Sequence, residues 1–306
     1  MRGALLVVVL AALATAPAAS AHGDDVPRDE LWSSWDPAWP VLVAAALALS
    51  LFVQAYVRLR RRGRGDHAGP GRALLFCLGL AVAVGALVSP LDAVGQEYLL
   101  SGHMLQHLLI GDVAPALLLV AVRGPLVFFL LPQRILAPLA RFGPLRAILR
   151  TALRPGVALG CWLTVFAVWH VPAVYGAALE HRPLHELQHA CFAIAGVLVW
   201  TQLVDPARRR SLTRARRVGL ALCLFAAGQA LADVLVFSFD DLYPAYAAQD
   251  ERLLGLSPHT DQQLAGVVMM GVQLVTLGTC AALLLASRAR LRVRLRGERL
   301  ASGLRS

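Results

Sequence analysis

Seven long apolar stretches dominate this chain, and they leave few folds open to it. They run roughly over 39–58, 72–90, 99–122, 156–175, 183–203, 217–239 and 263–287. A helix that crosses a bilayer needs about 20 mainly apolar residues, because only closed backbone hydrogen bonding survives in lipid. Charged residues make up 16% of the chain, against roughly 25% in a soluble domain. No period of 20 to 50 residues repeats, which excludes a solenoid. The expected fold is therefore all-α, a polytopic membrane bundle of about seven transmembrane helices.

The ends complete this organisation. Residues 1–21 carry Arg2, an apolar run from Ala4 to Leu13, and Ala19-Ser20-Ala21, the pattern of a cleaved signal peptide. An extracytoplasmic segment (22–38), the seven-helix domain (39–287) and a basic cytoplasmic tail (288–306) follow. All 29 basic residues are arginine, and 25 lie in 58–72, 123–154, 208–217 and 288–305. The opposite loops collect Asp92, Glu97, Asp240, Asp241, Asp250 and Glu251. By the positive-inside rule the mature N-terminus lies outside and the C-terminus in the cytoplasm, in a bacterial inner (plasma) membrane.

The net charge of +10 is thus explained by topology and lipid contact, and no nucleic-acid partner is expected. Residues 133–154 read as an amphipathic helix on anionic headgroups or as a solvated loop. Pro125–Pro132 is too short to cross and reads as interfacial. Trp32, Trp35 and Trp39 suit an aromatic belt. The five cysteines lie in apolar segments without C-x-x-C spacing, which argues against redox work.

Polar residues inside the apolar stretches carry the functional signal, since they are costly in a membrane. His103 and His107 open the third stretch, His185 and His189 open the fifth, and His170 lies near the outer end of the fourth. Residues four apart share a helix face about 6 Å apart along the axis, so each pair aims two imidazoles one way. All five fall within roughly 12 Å of the outer helix ends. Met269 and Met270 on the seventh stretch reach a similar depth, as do Gln229 and Asp233 on the sixth. Imidazole with thioether nearby suits copper, with zinc and iron behind it. One pair supplies only two ligands, so a bound ion needs both helices. The plain alternative for each histidine is an interhelical hydrogen bond.

Asp112, nine residues past His103, projects from the far side of that helix and reads as a contact to a neighbouring helix or a proton carrier. Thr260 and Gln263 have capping-box spacing. His185-Glu-Leu-Gln-His189 also matches the H-E-x-x-H zinc-protease motif, in which Glu186 would activate water. The sequence offers no recognisable third ligand for that chemistry, and no catalysis is expected. Haem-based electron transfer is a further alternative, with axial histidines from two helices.

Four blocks together carry a resemblance. His103-Met-Leu-Gln-His-Leu-Leu-Ile-Gly-Asp-Val-Ala-Pro115, Trp169-His-Val-Pro172 with Tyr175, His185 to His189, and Asp261-Gln-Gln-Leu-Ala-Gly266 are similar to motifs of the CtaG-type cytochrome c oxidase assembly factor family. The resemblance spans about residues 100 to 270. It implies a seven-helix membrane protein needed to form active haem–copper oxidase, with an oxidase subunit and a copper donor protein as partners. On that analogy His103, His107, His170, His185 and His189 handle metal. Ala116 and Met269-Met270-Gly271 depart from the family pattern.

Overall fold

The computed structural model describes residues 26–209, 211–249 and 253–286. The expected signal peptide, residues 22–25 of the expected extracytoplasmic segment and the basic tail lie outside the described residues. Within them the chain is helical, with no strand. The principal helices are α1 (Trp39–Arg61), α2 (Pro70–Val88), α3 (Leu100–Ala121), α4 (Gln133–Arg141), α5 (Gly143–Ala152), α6 (Pro155–Trp169), α7 (Pro172–Glu180), α8 (Arg182–Val204), α9 (Arg214–Phe237) and α10 (Pro258–Ala286). Six of these, α1, α2, α3, α8, α9 and α10, are long and apolar enough to cross a membrane.

The fourth expected span departs from the sequence reading. Instead of running straight over 156–175, the helix stops at Trp169 after 15 residues. At about 1.5 Å per residue it covers about 22 Å, short of the roughly 30 Å apolar core. Pro172 is the cause: it disfavours helical backbone at Val171, which turns extended (φ −65°, ψ 123°), and the chain restarts as α7. At its other end α6 meets α5 at a bend of 73°, and the pair together can serve as the seventh crossing. The basic stretch is thus two short helices, α4 and α5, parted at Phe142 before Gly143-Pro144. Leu149 of α5 packs on Ala158 of α6 and on Val197 and Leu198 of α8.

α8 lies at the centre of the bundle and is the most enclosed of the six long helices. α3 and α8 both begin at the histidine-bearing end and run in the same direction. Their backbones approach at Gly111 and Gly196; a Cβ on Gly196 would fall on the carbonyl oxygen of Gly111. Large apolar side chains such as Val43, Leu47, Leu74, Leu222 and Leu283 remain exposed along the outer faces. They form the surface that a bilayer would cover.

The N-terminal strap lies over the histidine-bearing end. Val26 donates its N–H to Glu97 at 2.9 Å, and Tyr98 Oη donates to the Val26 carbonyl at 2.5 Å. Leu31 is fully buried against Val94, Leu99 and Leu253. Trp32, Trp35 and Trp39 stay more than 60% exposed, as an interfacial belt requires.

Candidate metal centre

The parallel course of α3 and α8 gives the histidine pairs a common register. His103 and His185 are each the fourth residue of their helix, and His107 and His189 follow one turn on. Four imidazoles therefore meet as a quadrilateral. Ring centroids are 4.3 Å apart for His103–His107, 4.1 Å for His185–His189, 5.0 Å for His103–His185 and 5.4 Å for His107–His189. All four residues are buried.

Ligand atoms of His103, His185 and His189 lie within 4.8 Å of one another. Three nitrogens bound to one ion at 2.0–2.1 Å would be about 3.3–3.6 Å apart, so a small contraction closes the set. His103 and His185 already face each other, Nε2 to Nε2, at 3.1 Å.

Hydrogen bonds settle which nitrogen of His103 carries the proton. Tyr246 Oη donates to the Gly95 carbonyl at 2.6 Å, and burial pushes this phenol well above its usual pKa. With its proton so committed, the Tyr246 oxygen accepts from His103 Nδ1–H at 2.9 Å. His103 Nε2 is left with its lone pair toward His185, the arrangement a metal ligand needs. Gly95 is required here, since a Cβ would sit 2.9 Å from His103 Cα. Tyr175, fully buried, packs on His103 with centroids 5.0 Å apart, and Tyr243 donates to the His170 carbonyl at 3.0 Å. The sequence reading singled out neither Tyr243 nor Tyr246; the only signal was two tyrosines flanking Pro244-Ala245 in an acidic loop.

His170 ends α6 and stands apart from the quadrilateral. Its Nδ1 donates to the Phe166 carbonyl at 2.6 Å, and its ring reaches Phe192 edge-on at 5.8 Å. Phe192 in turn stacks on His107 at 4.4 Å. The fifth histidine thus borders the cluster without joining the three that can share an ion.

Several of these groups lack protein partners. Both ring nitrogens of His107, Nε2 of His189 and both amide atoms of Gln188 are buried without a hydrogen bond. Each such group costs about 1–3 kcal/mol. An ion at the three-histidine position would relieve His189 Nε2, and an all-imidazole donor set fits a borderline transition metal. The 3.1 Å gap between His103 and His185 is too narrow for a porphyrin between two axial nitrogens, which need about 4 Å.

The last sequence block builds the frame. α3 has no cap of its own; Asp261 of α10 supplies one, accepting from the Leu100 and Ser101 amides at 2.6 and 3.2 Å and from Ser101 Oγ at 2.5 Å. Gln262 accepts from Leu242 N–H at 2.7 Å and donates to the Asp240 carbonyl at 3.1 Å, which fixes the loop carrying Tyr243 and Tyr246. The expected capping box at Thr260 is displaced: α10 starts at Pro258, and Ser257 Oγ accepts from Thr260 N–H at 3.1 Å. Asp112 bonds Trp200 Nε1 at 2.6 Å and Thr276 Oγ1 at 2.5 Å, the contact to neighbouring helices weighed from its position. Met269 is buried beside Met104 and Tyr175.

His185, Glu186 and His189 also line a cleft of about 910 Å³, which extends from Trp35 and Trp39 to Arg209. Glu186 pairs with Arg182 at 3.2 Å, and Arg182 reaches Asp36 at 3.2 Å.

Comparison with known proteins adds one finding. The model of the family described as cytochrome c oxidase caa3 assembly factor matches residues 50–290. Nothing matches among curated proteins or among solved structures.

Proposed function

The chain belongs to the cytochrome c oxidase caa3 assembly factor family, and on that premise we propose that it binds copper at the outer face of a bacterial inner membrane and delivers it to an oxidase subunit. The copper is cargo received from a donor protein, and the role is non-enzymatic. One observation carries this reading: imidazoles from two separate helices converge, with His103 Nε2 and His185 Nε2 3.1 Å apart and His189 within reach of the same ion.

His103, held by Tyr246, is the rigid ligand; His185 and His189 border both the ion position and the cleft. Ligands on the wall of a lateral cleft can exchange with those of an incoming partner helix, which transfer requires. The arginine-rich loops at the other end support placing the histidines outside.

Deletion of the gene, with rescue by wild type, His103→Ala or His189→Ala, tests the proposal. Oxidase activity and oxidase copper content should fall in the deletion strain and return only with wild type. Fully metallated oxidase in the deletion strain would end the proposal.

A zinc peptidase is a second reading that gains one specific observation: His103 supplies the third ligand missing from His185-Glu186-Leu-Gln-His189. Against it, the Glu186 carboxylate is engaged by Arg182. Glu186→Gln separates the two, since it should abolish peptidase activity and leave copper delivery near wild type.

A further inference from the structure

Two imidazoles remain outside the three-histidine position. His107 is 4% exposed, and neither ring nitrogen has a partner. His170 commits its Nδ1–H to the Phe166 carbonyl, which leaves the Nε2 lone pair without a proton. Both residues line one small cavity of about 40 Å³ between α3, α6, α8 and α10. That is room for about one water molecule or one ion.

The same cavity is lined by Met104 and Met269, at 1% and 2% exposure. The Asp112 carboxylate, held by Trp200 and Thr276, and Gln273 also line it, and beside them the two thioethers and two imidazoles make a soft donor set suited to copper(I). A methionine at either position needs no such explanation for packing alone. The unpartnered buried imidazole of His107 in the same wall does need one.

We propose that His107, His170, Met104 and Met269 form a second copper(I) site, inward of the His103–His185–His189 position. This rests on reading the histidine layer as a metal site. The two positions are adjacent: the His107 ring lies 4.3 Å from that of His103 and 5.4 Å from that of His189, centroid to centroid. An ion can pass between them by exchanging one imidazole for another. Copper stays in the +1 state, and no electron or proton donor is required. Phe192, stacked on His107 and edge-on to His170, walls the inner site on one side.

The test is anaerobic titration of the full chain in detergent with copper(I) against a chromophoric chelator, followed by X-ray absorption of the loaded protein. Wild type should bind two ions per chain with both nitrogen and sulfur scattering. Met104→Leu/Met269→Leu, which keeps apolar volume, should bind one ion and lose the sulfur signal. His185→Ala should also bind one ion but retain sulfur. Should the double variant fail to fold, Met269→Leu alone should lower the sulfur signal while folding is checked by thermal melting. A single nitrogen-ligated ion in wild type, or two ions with unchanged scattering in the leucine variants, would overturn the second site and leave the three-histidine reading standing. No bound copper at all would overturn both.

Discussion

Tyr246 shows how one side chain outside the membrane helices can prepare a ligand within them. By donating its O–H to the Gly95 carbonyl and accepting from His103 Nδ1–H, it fixes both the tautomer and the orientation of the ring. Tyr246→Phe should therefore fold and yet bind copper about 10–100-fold more weakly, as measured by chelator competition, because outer hydrogen bonds to ligands act at that level. Unchanged affinity would mean that packing alone orients His103. Asp92 poses a different residue-scale question. Burial raises its pKa to about 6, opposed by the amide of Gln106, which donates at 2.5 Å. The folded state thus favours the protonated carboxyl, and the associated stability is greatest below the ordinary carboxylate range and is lost as pH rises through about 6. Asp92→Asn should melt closer to wild type at pH 4 and above it at pH 7. An equal difference at both pH values would contradict the assignment.

At the scale of elements, the decisive event is the parallel approach of α3 and α8. Equal register places the histidine pairs side by side, and Gly111 against Gly196 lets the backbones come close enough for the rings to meet. Gly196→Ala should push the helices apart, at a cost of about 1–3 kcal/mol for overpacking, and weaken copper binding with it. Gly219→Ala, where a methyl group meets nothing within 4 Å, is the matched control and should be near neutral. Thermal melting and copper competition on both variants check this. The turn pattern agrees with a working site: π-type turns interrupt Val94–Tyr98, Leu109–Val113 and Leu274–Gly278, close to the tyrosines, His107 and the inner cavity.

For the whole molecule, helix packing and the long-range cap from Asp261 hold the frame. Copper should then stabilise a fold that already exists rather than create it. Loading at about 100 times the dissociation constant should add about 2.7 kcal/mol and raise the melting temperature of wild type. His103→Ala/His185→Ala should melt cooperatively without metal and show a smaller shift than wild type when copper is added, since only the inner position is left to bind it. A metal-free chain that is unfolded would instead make the ion part of the folding unit.

The bundle, the clustering of five histidines at one end and the family were legible from residue order alone, because apolar length, arginine placement and i,i+4 spacing are local properties. Local pattern also misled, at the fourth stretch, where hydropathy continued past a proline that stops the helix. Which imidazoles can share an ion depended on the adjacency and register of two helices some 80 residues apart, which no local pattern encodes. The same holds for Asp261 capping α3 from 160 residues away and for Tyr246 holding His103: such partners are chosen by packing in three dimensions.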